Sequence, residues 1–175
     1  MDQVELLTAI IEASIALIGF SGLVIALGHR ASGEWLPLEK LRLTTLLSGG
    51  VVLLGCAVLA LTLLSAGLPQ STAWTVSSVT WAVLVVPSTA WGISRGYRMP
   101  EDRTAGLTYR VVVSAVVVAL ATIQVANVIS LQEFWPFFLA LGATLILGVT
   151  QFIRLLWFGL FQEQGAVQAA EVGSP

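Results

Sequence analysis

The chain alternates between long apolar runs and short polar clusters, and the lengths of the runs carry most of the information. From Ala13 to Gly28 no residue is charged, and the apolar stretch reaches back to about Val4. A helix needs about 20 mostly apolar residues to cross roughly 30 Å of hydrocarbon, so residues 4–28 predict a first span. The stretch from Leu43 to Ser94 contains no charge at all and is too long for one crossing. Its segment "GLPQST", Gly67 to Thr72, carries the Gly/Pro turn chemistry that ends helices, which divides the stretch into spans at 43–66 and 72–94. A fourth span covers 111–132, between Arg110 and Glu133, and a fifth covers 134–161, with Arg154 close to its end. The expected fold is an all-α integral membrane bundle of five transmembrane helices. It forms a single domain over 1–161, followed by a flexible tail at 162–175 whose small and polar residues favour fraying.

Polar positions inside the spans refine this picture. Glu12 stands near the start of the first span, at ~1.5 Å per residue roughly 12 Å from its end. At about 100° per residue Glu5, Thr8 and Glu12 share one face, continued by Ala16, Gly19 and Leu23, while Ser14 and Ser21 mark the opposite side. That pattern predicts protein contact around most of the helix. Gly19, Gly22 and Ala26 are small enough to admit a neighbouring helix closely. In the fourth span Gln124 lies at a depth similar to that of Glu12, with Asn127 one turn further on, and Thr80 of the third span reaches the same level. An intramembrane polar layer of Glu12, Gln124, Asn127 and Thr80 is therefore an expectation, within one chain or across several. Pro87, deep in the third span, is a candidate hinge because it lacks an N–H and leaves a carbonyl unpaired. Trp74, Trp81 and Ser88 share a face that reads as a packing stripe.

The connecting segments orient the bundle. All eight Lys and Arg residues lie between spans one and two, between spans three and four, or at the end of span five. In a five-span chain these places are on one side of the membrane. Lys- and Arg-rich short loops stay cytoplasmic, which predicts the N-terminus outside and the C-terminus in the cytoplasm. The opening "MDQVE" is acidic, unlike the basic start of a signal peptide, so the first helix is expected to be retained. Trp74 and Trp135 are expected at the outer membrane boundary, and Trp35, Trp91, Trp157, Tyr97 and Tyr109 at the inner one. A short interfacial helix started by Pro37 is expected within Ala31–Arg42.

Composition supports the class and thins out the chemistry. Apolar residues make up 57% of the chain and charged ones 10%, against the roughly 25% charged residues of an average soluble domain. That is too few to cover a water-facing surface. The net charge of −2 offers nothing to nucleic acid. Cys56 is the one cysteine and lies in an apolar run, as a buried inert thiol would. His29 is the one histidine and sits beside Arg30, where a headgroup contact explains it better than a metal, which needs a cluster of ligands. "GFSG" at 19–22 lies mid-helix and lacks the strand-to-helix turn of a nucleophile elbow. No enzyme activity, cofactor or metal site is expected.

The expected partners are membrane lipid and further copies of the chain, and the expected location is a plasma membrane of the bacterial inner-membrane kind. Ionisable residues inside spans face protein or water and serve function by default. Rings of Asp or Glu in a symmetric oligomer select cations. One expectation is an oligomeric cation or proton channel whose outer vestibule is lined by Glu5, Thr8 and Glu12 and conducts a monovalent cation or proton. The alternative is a non-conducting structural or accessory protein in which Glu12, Gln124 and Asn127 only hold helices together.

Overall fold

A computed structural model describes the backbone of residues 2–32, 37–98 and 105–172, and the side chains of all these except 27–32, 105–106 and 157–172. Among the described residues there are only helices and turns. α1 covers Gln3–Ser32, α2 Pro37–Ser65, α3 Gln70–Tyr97, α4 Ala105–Ala126 and α5 Phe134–Val172, with five residues of π-helix, Asn127–Leu131, extending α4. All five helices are long and apolar enough to cross a membrane.

Each helix runs past its apolar segment at the end where the cations gather, called the basic end below. Nothing in the polar flanks of 95–97 or 105–110 breaks a helix, so the backbone keeps its hydrogen bonds beyond the stretch that hydrocarbon would require. Pro37 does not start a separate interfacial helix, because it is the first residue of α2 itself. Its missing N–H costs nothing there, since the first-turn N–H groups of any helix lack intrahelical partners. At the other end α5 continues through Val172, where the sequence suggested a frayed tail. The α2–α3 turn uses Gly67 at φ 73°, in the left-handed region open to glycine, and its N–H bonds the Leu64 carbonyl at 3.1 Å.

α2 is central, packing on α1, α3 and α5, while α4 packs on α3 and α5. The core joins Leu53, Cys56, Ala57 and Ala60 of α2 to Trp74, Trp81 and Val85 of α3, with Phe137, Ala140 and Leu141 from α5. Trp81 is fully buried and its indole N–H donates to Thr144 Oγ1 at 3.1 Å. Trp74 was expected to face the membrane boundary. It is buried instead, its ring 5.0 Å from Phe134 and 6.3 Å from Phe137, because the first turn of α5 closes over it. Trp91, Tyr97 and Trp135 remain exposed. The side chains of His29, Trp35 and Trp157 lie outside the described residues.

Many hydroxyl groups within the helices are spent locally, whereas Thr75 Oγ1 and Ser77 Oγ of α3 are buried without a hydrogen-bond partner. Ser14, Thr44, Thr62, Ser65, Thr80, Thr122 and Thr150 each donate to the carbonyl four residues earlier at 2.7–2.9 Å. This back-bonding removes a polar group from the apolar surroundings without another helix. Pro87 sits inside a continuous α3. Ser88, next to it, bonds the Leu84 and Val85 carbonyls at 2.7 and 3.0 Å, so the hydroxyl supports the turn that the proline weakens.

Candidate functional site

The polar residues predicted to form one layer fall into two separate groups. α1 lies against α2 and α5 and buries Leu7, Ile10, Ser14, Leu17 and Ser21. The opposite face carries Glu5, Thr8, Glu12, Gly19 and Ala26, all exposed on the outside of the bundle. The expectation that α1 is covered around most of its girth therefore fails within one chain. The reason is topological: one groove between two helices covers only one side of a third. The two serines occupy the covered side, Ser14 bonding Ile10 O and Ser21 bonding Leu17 O, both at 2.7 Å. Ser21 Oγ is thereby engaged with the backbone of a continuous helix.

Among the described residues nothing packs closely on Gly19 or Gly22, since a Cβ placed at either would meet nothing within 4 Å. They were expected to pack helices, and no described helix of the same subunit packs against them. Glu12 lies nine residues into α1, roughly 14 Å along the axis at about 1.5 Å per residue, at the centre of this exposed face. Leu23 lies about three turns beyond it on the same side, 57% exposed.

Nearer the helix start, the acidic residues have a local task. Glu5 Oε2 accepts from the Asp2 N–H at 3.2 Å, and the Leu6 N–H bonds the Asp2 carbonyl at 3.1 Å. Asp-x-x-Glu is one half of a capping box, in which the third helical residue reaches back to the first free N–H. The signal was present in "MDQVE" and carries a helix-starting meaning beside the charge. Thr8 donates to Val4 O at 2.8 Å, leaving its lone pairs on the exposed face.

Gln124 and Asn127 are buried on the far side of the bundle, at the junction of α3, α4 and α5. Gln124 Nε2 donates to Pro136 O at 2.8 Å. Asn127 Nδ2 donates to Ser78 Oγ at 2.9 Å and to Glu133 O at 3.1 Å, and its Oδ1 accepts from the Glu133 N–H at 2.9 Å. Here the α4 helix widens into its π-turn. Gln132 then takes a left-handed conformation, φ 51°, with its N–H on Asn127 O at 2.8 Å. Asn127 thus pins the reversal from α4 to α5 and ties it to α3. Ser78, its partner, carries no warning in the sequence beyond lying on the buried stripe with Trp74 and Trp81. Thr80 does not join this group and bonds Val76 O.

Glu12 therefore has none of Gln124, Asn127 or Thr80 for a partner in its own chain. Among the described residues no group of three His, Cys, Asp or Glu could hold a metal, and Cys56 is fully buried. No family model, curated protein or solved structure matches this chain.

Proposed function

We propose that the chain is the subunit of a homo-oligomeric membrane assembly in which α1 lines a shared axis, and that Glu12 forms a ring there for a monovalent cation or proton. The observation that carries this reading is the exposure of Glu12 nine residues into α1, on a face that bears no other charge from Thr8 to Ala26. A carboxylate facing acyl chains costs about 2.5–3.5 kcal/mol even on the mildest scales, and a water-filled axis between subunits removes that cost. Gly19, Gly22 and Ala26 lie further along the same side of the helix and permit close approach of a second copy. Repetition by symmetry turns one carboxylate into a ring, the arrangement by which cation channels select charge. Leu23 follows on the axis side, where a ring of leucines makes an apolar constriction that gates by dewetting.

The location we propose is a plasma membrane of the bacterial inner-membrane kind. The N-terminus lies outside and the basic end in the cytoplasm, on the strength of the segregation of Lys and Arg. Asp2 and Glu5 then stand at the outer mouth, where negative charge concentrates cations.

The test is cation and proton flux into liposomes containing the purified protein, alongside its mass in mild detergent. Wild type should be oligomeric and conduct, and Glu12→Gln should stay oligomeric while losing or reshaping the flux. A monomer at all concentrations, or flux unchanged by Glu12→Gln, overturns the proposal.

A further inference from the structure

The basic end of the bundle holds a cavity that the channel reading does not use. It measures about 170 Å³ and lies among α2, α3, α4 and α5. An engineered apolar cavity of roughly 150 Å³ stays dry and takes up benzene, so this one suits a single aromatic ring with roughly one or two further heavy atoms. Its walls are of two kinds. Leu53, Val85, Val113 and Val117 supply an aliphatic part. Water placed there would lack the polar partners that hold buried water, and an apolar guest gives up no hydrogen bond by replacing it.

The polar part includes Thr45, Ser48 and Ser88. Each of these hydroxyls already donates to a carbonyl of its own helix: Thr45 to Leu41 and Arg42, both at 2.9 Å, Ser48 to Thr45 at 3.1 Å, and Ser88 to Leu84 at 2.7 Å. A hydroxyl has one proton and two lone pairs, so these three retain only the capacity to accept. The walls therefore favour a guest that is apolar over most of its surface and carries one donor. Arg42, Arg110 and Arg154 also line the space and repel a cation. Arg154 bonds Tyr109, and Arg42 and Arg110 have interactions of their own, so an anion gains little from them. A second space, about 350 Å³, lies in the cleft between α3 and α4. Thr89, Ile93 and Val117 line both spaces, so the cleft leads to the cavity. Val118, on the cleft, is 66% exposed, which opens it on the outside of the bundle where acyl chains would lie.

We propose that this cavity binds one small neutral aromatic molecule with a single hydroxyl or N–H donor, of the size of benzyl alcohol, and that the guest arrives from the lipid phase through the α3–α4 cleft. The ring fills the aliphatic part and leaves water by the hydrophobic effect. The donor meets a lone pair of a wall hydroxyl, which fixes the orientation of the guest. Molecules of this kind concentrate in a bilayer by partitioning, so the cleft meets them at higher concentration than the aqueous phase offers.

The full-length protein with labelled methyl groups, in a deuterated neutral detergent, gives the test by nuclear magnetic resonance. The probes are benzyl alcohol, toluene, benzylammonium and benzoate, which are close in size and differ in donor and charge. Benzyl alcohol should show nuclear Overhauser effects to the methyls of Leu53, Val85 and Val117 that saturate at one molecule per chain. Toluene should bind about fivefold more weakly, the worth of one neutral hydrogen bond. Benzylammonium should leave those methyls unchanged, and benzoate should bind more weakly than benzyl alcohol. Gly49 lines the cavity and a Cβ there would meet nothing within 4 Å, so Gly49→Leu should fill the space and abolish the saturable effect. If that variant does not fold, the probe series on the wild type still decides. Toluene binding as tightly as benzyl alcohol, benzoate binding more tightly, or Overhauser effects to these methyls from water alone each overturns the proposal.

Discussion

Removing the side chain of Asn127 beyond Cβ should be among the most damaging polar substitutions in this bundle. Asn127→Ala deletes three hydrogen bonds at once, to Ser78 Oγ, Glu133 O and the Glu133 N–H. Interhelical bonds in membrane proteins average about 0.6 kcal/mol each, so the three total about 2 kcal/mol. Gln124→Leu is the control of similar burial. It loses one bond, to Pro136 O, but it also removes a buried carboxamide oxygen that has no partner. An unmet buried acceptor is itself unfavourable, and the two effects oppose each other, leaving a net change of about 0.5 kcal/mol or less. Reversible unfolding in mixed micelles, as the fraction of denaturing detergent rises, measures both. A double-mutant cycle with Ser78→Ala isolates the side chain–side chain bond, for which a coupling of about 0.6 kcal/mol is expected. If Asn127→Ala costs no more than Gln124→Leu, or the cycle closes at zero, Asn127 does not pin the α4–α5 reversal.

Adjacent glycines in α2 should respond in opposite ways. A Cβ at Gly50 would lie 2.8 Å from Ile18 Cγ1, near the branch of that side chain, whereas one at Gly49 meets nothing. Gly50→Ala should cost about 1–3 kcal/mol by overpacking and be relieved by Ile18→Ala. Gly49→Ala should be neutral or slightly stabilising through helix propensity, and equal effects at the two sites would refute the α1–α2 packing. Cys56 is buried without exposed surface, so a maleimide should label it at the rate of global unfolding. Labelling within seconds in mild detergent would place it elsewhere.

The five spans were legible because lipid imposes a length on apolar runs, and charge-free windows measure that length directly. The register of side chains was only partly legible. Ser14 and Glu12 are both polar and two residues apart, so periodicity alone could not say which faced the bundle; the groove between α2 and α5 decided it. Arg42, Arg110 and Arg154 line one pocket at the basic end, a grouping that was missed because each cation was read as a flanking charge that orients a helix. A signal was nevertheless present. Arg42 falls four residues from both Leu38 and Leu46, and Arg110 heads the run Val113, Val117, Leu120, Gln124 and Asn127, all buried. Cations in step with an apolar stripe belong to the inward face. What no pattern could supply was their convergence, which depends on three helices packing together. The π-turn at Asn127–Leu131 was likewise invisible, since it follows from long-range bonds rather than local propensity.

The short turn between α2 and α3 also bears on how the chain enters its membrane. Of the five helices α3 is the least apolar, carrying nine Ser and Thr residues, Trp rings and a mid-helix proline. Left alone at the translocation machinery, it is the segment most prone to slip through rather than partition into lipid. Only residues 66–69 separate it from α2, the most apolar of the set. The two can therefore leave as a preassembled hairpin, before α5 arrives to cover Trp74 and accept the Trp81 hydrogen bond. Lengthening that turn would uncouple the pair, and the first casualty would be correct biogenesis rather than stability of the finished bundle.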